Sequence, residues 1–156
     1  MTTLITAEDA YNLSEIQMDK IVDYFINRID IAIKNVVNSG GSGILWWLHS
    51  TTIKIDDTDI DIFIKFMICN NEYSRYYSKH SGYCCKKSKI LLKIIDILKE
   101  KKYTVYVDYN YHGRYYLHIS FDKTINNNEV YNSCNKPGII SRLFGKRHNY
   151  TTIKID

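Results

Sequence analysis

Two tripeptides carry side chains able to act on a phosphate ester, His49-Ser50-Thr51 and His118-Ile119-Ser120. On strands facing one cleft, one imidazole can take a proton while the other gives one, and the hydroxyls can hold the phosphate oxygens. A second candidate is the soft-ligand set Cys69, His80, Cys84, Cys85, Cys134 and His148, numerous enough for a tetrahedral zinc site. Its spacing argues against a metal: there is no C-x-x-C pair, and the adjacent Cys84 and Cys85 rarely turn both sulfurs to one ion. Reduced, unpaired thiols in a cytosolic compartment are the expectation. Asp56, Asp57, Asp59 and Asp61 lack the spacing and the glycine of a calcium loop and read as solvated hairpin charges.

The third candidate is a binding surface rather than a reaction centre. Tyr73, Tyr76, Tyr77 and Tyr83 alternate with Arg75, Lys79, Lys86 and Lys87, and Arg142, Lys146 and Arg147 follow near the C-terminal end. Such side chains could stack bases and hold phosphates. Tyrosine-rich loops equally supply rigid, amphipathic contacts to protein neighbours. The formal charge of +4 is modest, and sequence-independent nucleic-acid affinity depends on phosphate neutralisation, so protein contact is the favoured reading and nucleic acid the alternative. The same choice applies to Tyr109, Tyr111, Tyr115 and Tyr116. Trp46 and Trp47 are neighbours, which on a strand puts one indole in the core and the other against a helix or a partner.

His118-Ile119-Ser120-Phe121 resembles the alternating motif of two-histidine phosphoesterases, but His49-Ser50-Thr51-Thr52 lacks the apolar residues at its second and fourth places. A three-residue match is common by chance in a chain with five histidines, and ordinary strand histidines are the default. There is no glycine-rich phosphate loop, no G-x-S-x-G and no H-E-x-x-H. The motifs therefore give a non-enzymatic expectation, with no catalytic residue, no metal and no cofactor.

The elements that must position these residues are legible in the periodicity. Thr6 with Asp9, and Ser14 with Gln17, each look like a capped helix start, predicting a short helix over 7–13 and a longer one to about Val37. Glycines at 40, 41 and 43 end it. Ile44 to Asp56 reads as one strand and Asp59 to Phe66 as its hairpin partner across Asp57-Thr58. After the loop from Asn70 to Lys87, Ile90, Leu91, Ile94, Ile95 and Leu98 form the apolar stripe of a helix opened by Ser88. Strands follow from Tyr103 to Val107 and from Tyr115 to Phe121. The expected class is α+β, helices packed on one antiparallel sheet, with a domain over 1–125 and a C-terminal arm over 126–156. Within the arm, Ile139, Ile140, Leu143 and Phe144 form a small apolar cluster, and 151–155 alternates like a strand able to join a sheet edge on a neighbouring subunit.

At 156 residues and 45% hydrophobic composition the chain can bury its own core. No stretch is long and apolar enough for a membrane span, and MTTLITAEDA has no leader character, so a soluble, unsecreted product is expected. The order of parts resembles a group of small proteins of tailed phages and large DNA viruses. Those proteins begin with T-A-x-x-A, run through a long helix stopped by glycine, a strand and a helix ending in G-Y, and close on I-S-W. The matching residues are Thr6, Ala7, Ala10, Gly43, the Ser88 helix, Tyr103 and Ile119-Ser120-Phe121, with Lys102 in place of the glycine and Phe121 in place of the tryptophan. The resemblance implies a viral origin, and together with the absence of catalytic motifs and the Tyr-rich loops it gives the expectation of a structural role as a minor capsid or capsid-associated protein, located in the virion and in host cytoplasm during synthesis, with other virion proteins as partners. Tyr73, Tyr76, Tyr77, Ile139, Ile140, Leu143 and Phe144 are the expected partner contacts, and self-association is compatible with them.

Overall fold

Ala7–Asn38 is apolar at a helical period and contains neither glycine nor proline, and it forms one 32-residue helix, α1. Residues 4–63, 68–69, 86–109, 114–122 and 150–154 are described by the structure, a computed structural model. Thr6 caps α1 by accepting the Asp9 backbone N–H at 3.1 Å. The expected break at Ser14 is absent. A serine followed by glutamine three positions on reads as a cap only where backbone N–H groups lack partners, and in mid-helix the preceding turn supplies those partners. At the other end Gly40 takes φ +76°, and the N–H groups of Gly41 and Gly40 return to the carbonyls of Val36 and Val37, a closed Schellman turn.

The strand expected over Ile44–Asp56 is broken at His49-Ser50 into β1 (Gly43–Leu48) and β2 (Thr51–Ile55), which belong to different sheets. β2 pairs with β3 (Thr58–Ile62) through a two-residue turn at Asp56-Asp57, both at positive φ, one position earlier than expected. Asp tolerates the left-handed region, which a twist-matched hairpin turn requires at both positions. Lys20 of α1 holds this turn through the Asp56 carboxylate. Two short strands, β4 (Ile68–Cys69) and β5 (Lys86–Lys87), pair with each other at the ends of the expected loop.

Helix α2 (Lys89–Glu100) is capped by Ser88, whose Oγ accepts the Leu91 N–H. It leads to β6 (Thr104–Tyr109), which pairs with β7 (Tyr115–Ser120). β7 pairs in turn with β1, and β8 (Tyr150–Ile153) lies parallel to the free side of β1, giving the order β6-β7-β1-β8. The strand-like C-terminal segment thus joins an edge of its own sheet rather than a neighbour's. The class is α+β: among the described residues, two helices pack on mainly antiparallel strands. One face of the four-stranded sheet, with Ile44, Trp46, Leu48, Leu117 and Ile119, meets Phe25 and Ile29 of α1 and the stripe of α2 in a single core.

The helices also meet through charge. Lys89 and Lys93 of α2 both engage Glu15, and Lys93 reaches Asp19 at 2.7 Å. The ammonium group of Lys89, with Lys93 behind it, holds the Glu15 carboxyl below its usual range. A lowered carboxyl adds stability above its unfolded value and loses it as pH falls through the folded one.

α2 ends in a second Schellman turn, Tyr103 N–H to Leu98 O and Lys102 N–H to Lys99 O, with Lys102 at φ +68° where glycine is the usual residue. A side chain in that conformation costs roughly 1–2 kcal/mol. Lys102→Gly should therefore raise stability by about 0.5–1 kcal/mol after its greater unfolded-state entropy is deducted. Urea unfolding measures this, and a lowered midpoint would contradict it.

Candidate functional site

The alternation of the sheet sorts residues onto two faces. Opposite the core lie Leu45 and Trp47 of β1, Tyr116, His118 and Ser120 of β7, and Thr104 and Tyr106 of β6. His118 is paired across the sheet with Leu45 on one side and Tyr106 on the other. Its ring stacks on Tyr106 at 4.3 Å, its Nδ1 lies 2.7 Å from the Tyr106 hydroxyl, and both residues are buried. His49 stands four residues beyond Leu45, roughly 13 Å along the strand direction at about 3.3 Å per residue. The two imidazoles do not flank one phosphate, and the paired-histidine arrangement is not formed. His118 serves the sheet as one half of a buried aromatic pair.

Around Trp47 the same face is cationic. The Arg114 guanidinium stands 5.1 Å from the indole centroid and the Lys154 ammonium 6.0 Å. The His49 ring lies 4.9 Å away at 33°, with Nδ1 3.0 Å from the Trp47 carbonyl, an acceptor, which places the proton on Nδ1. Tyr116, half-buried, is the cross-strand partner of Trp47. Three stretches far apart in the chain converge here: the end of β1, the start of β7 and the end of β8. Of the tryptophan pair, Trp46 lies in the core as expected, whereas Trp47, expected under a helix or a partner, lies on the opposite face beneath side-chain cations.

The second surface is the start of α1. Ile21 is the first buried residue of the helix, and residues 4–14 are all exposed. At 1.5 Å per residue, 7–17 is an overhang of about 16 Å past the apolar core, held to α2 where Glu15 and the Tyr11 ring meet Lys89. Tyr11 continues the line of Met18, Val22 and Phe25, while Leu13 and Ile16 lie on the opposite side, so exposed apolar side chains stand on both faces of the overhang. Leu4 is 94% exposed, and Ile5, Tyr11, Leu13 and Ile16 are also exposed. At its base Met18, Ile21, Ile60, Ile62 and Ile90, with Ser14, line a mostly apolar groove of about 430 Å³.

Among the residues expected to bind a partner or nucleic acid, Tyr73, Tyr76, Tyr77, Arg75, Lys79, Ile139, Ile140, Leu143, Phe144, Arg142, Lys146 and Arg147 lie outside the described residues. So do Cys84, Cys85, Cys134, His80 and His148 of the soft-ligand set. Lys86 and Lys87 form β5. Sequence reasoning missed the overhang because exposed apolar residues there resemble a core stripe, and it missed the Trp47 cluster because only the sheet register brings Arg114 and Lys154 together. No helix among the described residues is long and apolar enough to cross a membrane. Comparisons with protein-family models, with curated proteins and with solved structures gave no match.

Proposed function

We propose that this chain is a structural protein of a viral particle, a minor capsid or capsid-associated component, and that the overhang of α1 is its contact with another particle protein. The observation that carries the reading is the exposed apolar set Tyr11, Leu13 and Ile16 on two faces of a helix that projects past its own core. Exposed apolar side chains gathered on one segment mark a contact surface. The 19 residues before Lys20 contain Glu8, Asp9, Glu15 and Asp19 and no lysine or arginine. That balance disfavours an anionic membrane surface, which basic helices bind, and suits a protein groove with an apolar floor and a basic rim. The adjoining groove under Met18 and Ile60 accepts an apolar side chain from the same partner. The viral setting rests on the order of helix, glycine stop, strand, helix and closing strands. Purified particles should contain the chain at a fixed stoichiometry through salt washes that strip adsorbed proteins. Absence from washed particles would end the proposal.

A further inference from the structure

We infer that the outer side of the α1 overhang binds a second copy of this chain, the two helices running antiparallel with Leu13 of each against Ile16 of the other. The inference rests on the reading of the overhang as a contact and names its partner. Asp9, Leu13, Ile16 and Lys20 follow one another at steps of four, three and four residues, which sets them on one side of a helix. All four are exposed, Leu13 at 57% and Ile16 at 55%, and they stand opposite the buried line of Val22, Phe25 and Ile29. The chain's own second helix takes a different side. Lys89 of α2 meets Glu15 and the Tyr11 ring, and Lys93 meets Glu15 and Asp19, so α2 leaves Leu13 and Ile16 uncovered.

The order of charges selects the partner and its direction. A two-fold axis midway between Ser14 and Glu15 brings Leu13 against Ile16 and Asp9 against Lys20, and symmetry repeats each pairing. This register joins acid to base and apolar to apolar at once. Setting Ile16 on Ile16 instead brings Asp9 to Asp23, and setting Leu13 on Leu13 brings Ile16 to Ala10 and Lys20 to Thr6. Parallel helices put Asp9 on Asp9 and Lys20 on Lys20, like charges that repel. Both charged groups have partners within the chain: Lys20 holds Asp56 in an exposed ion pair, and Asp9 accepts from the Thr6 hydroxyl. An ammonium has three N–H donors and a carboxylate two oxygens, so each can add one more, as Lys93 does in serving both Glu15 and Asp19. The acidic start of α1 thus meets its base on the second copy. Only four large apolar side chains gather at the centre, and a contact of that size gives weak, concentration-dependent association.

The test is sedimentation equilibrium of the full chain at low salt, up to about 0.5 mM, where a weak dimer fills. The parent should dimerise reversibly, and Leu13→Ser/Ile16→Ser should stay monomeric. Asp9→Lys alone and Lys20→Asp alone each set like charges together and should associate roughly tenfold more weakly, the effect of reversing two surface ion pairs. An equimolar mixture of those two variants restores both opposite-charge pairs and should associate nearly as tightly as the parent. A role of either residue confined to its own chain would produce no such recovery. Thermal melting of each variant in dilute solution checks folding. The proposal is overturned by a parent that is monomeric throughout, by a dimer that survives Leu13→Ser/Ile16→Ser, or by a mixture no tighter than its components. Particle retention separates that failure from failure of the reading beneath it: a monomeric chain that washed particles retain only with Leu13 and Ile16 intact has a different protein as its partner, so the second copy falls and the contact stands.

Discussion

Trp46→Ala should destabilise the chain by about 3–5 kcal/mol, the range for a large aromatic deleted from a core. Trp46 is 2% exposed and its ring lies 5.0 Å from that of Phe25, joining β1 to α1. In register it stands between Leu117 of β7 and Ile153 of β8, so its loss opens a cavity under three strands at once. A domain of this size has total stability of only about 5–15 kcal/mol, so the variant should unfold at low denaturant or fail to accumulate. Trp46→Phe keeps most of the volume and should cost much less. Trp47→Ala, one position on, removes a half-buried ring from the opposite face and should cost far less than Trp46→Ala. Urea unfolding of the three variants measures the contrast, and equal losses at 46 and 47 would contradict the assignment of faces.

The elements that local patterns specify were the readable ones. In α2 a serine cap and an apolar stripe agree, and the helix begins and packs as those signals require. The hairpin of β2 and β3 was visible in its alternation, with its turn displaced by one residue because Asp56 and Asp57 both enter the left-handed region. Lys102 shows the same lesson from the other side: a lysine holds the left-handed conformation that glycine favours at such a turn. What stayed hidden depends on tertiary partners. Ile44–Leu48 is apolar at every position and hides which parity is buried, so the sequence does not reveal that burial passes from Trp46 and Leu48 in one sheet to Ile53 in the other across His49-Ser50. β8 finds β1 across almost the whole chain, and its alternation predicted a strand without naming its edge. Both candidate histidines fell on or beside strands as expected, yet register alone separates them and buries one against Tyr106.

The overhang variant Tyr11→Ser/Leu13→Ser/Ile16→Ser separates folding from association. These side chains are exposed and precede the first buried residue of α1, so the change should leave the isolated chain's stability close to that of the parent. At a contact the same change removes three apolar anchors. Buried apolar side chains contribute about 1.5–3 kcal/mol each, and their combined loss lowers affinity by several orders of magnitude even after discounting for non-additivity. The most direct measurement compares parent and variant in one preparation: the melting curve of each free chain, and the amount of each retained in washed particles. The expected result is overlapping melts with the variant lost from the particles. Full retention of a well-folded variant would contradict the assignment of the contact to α1.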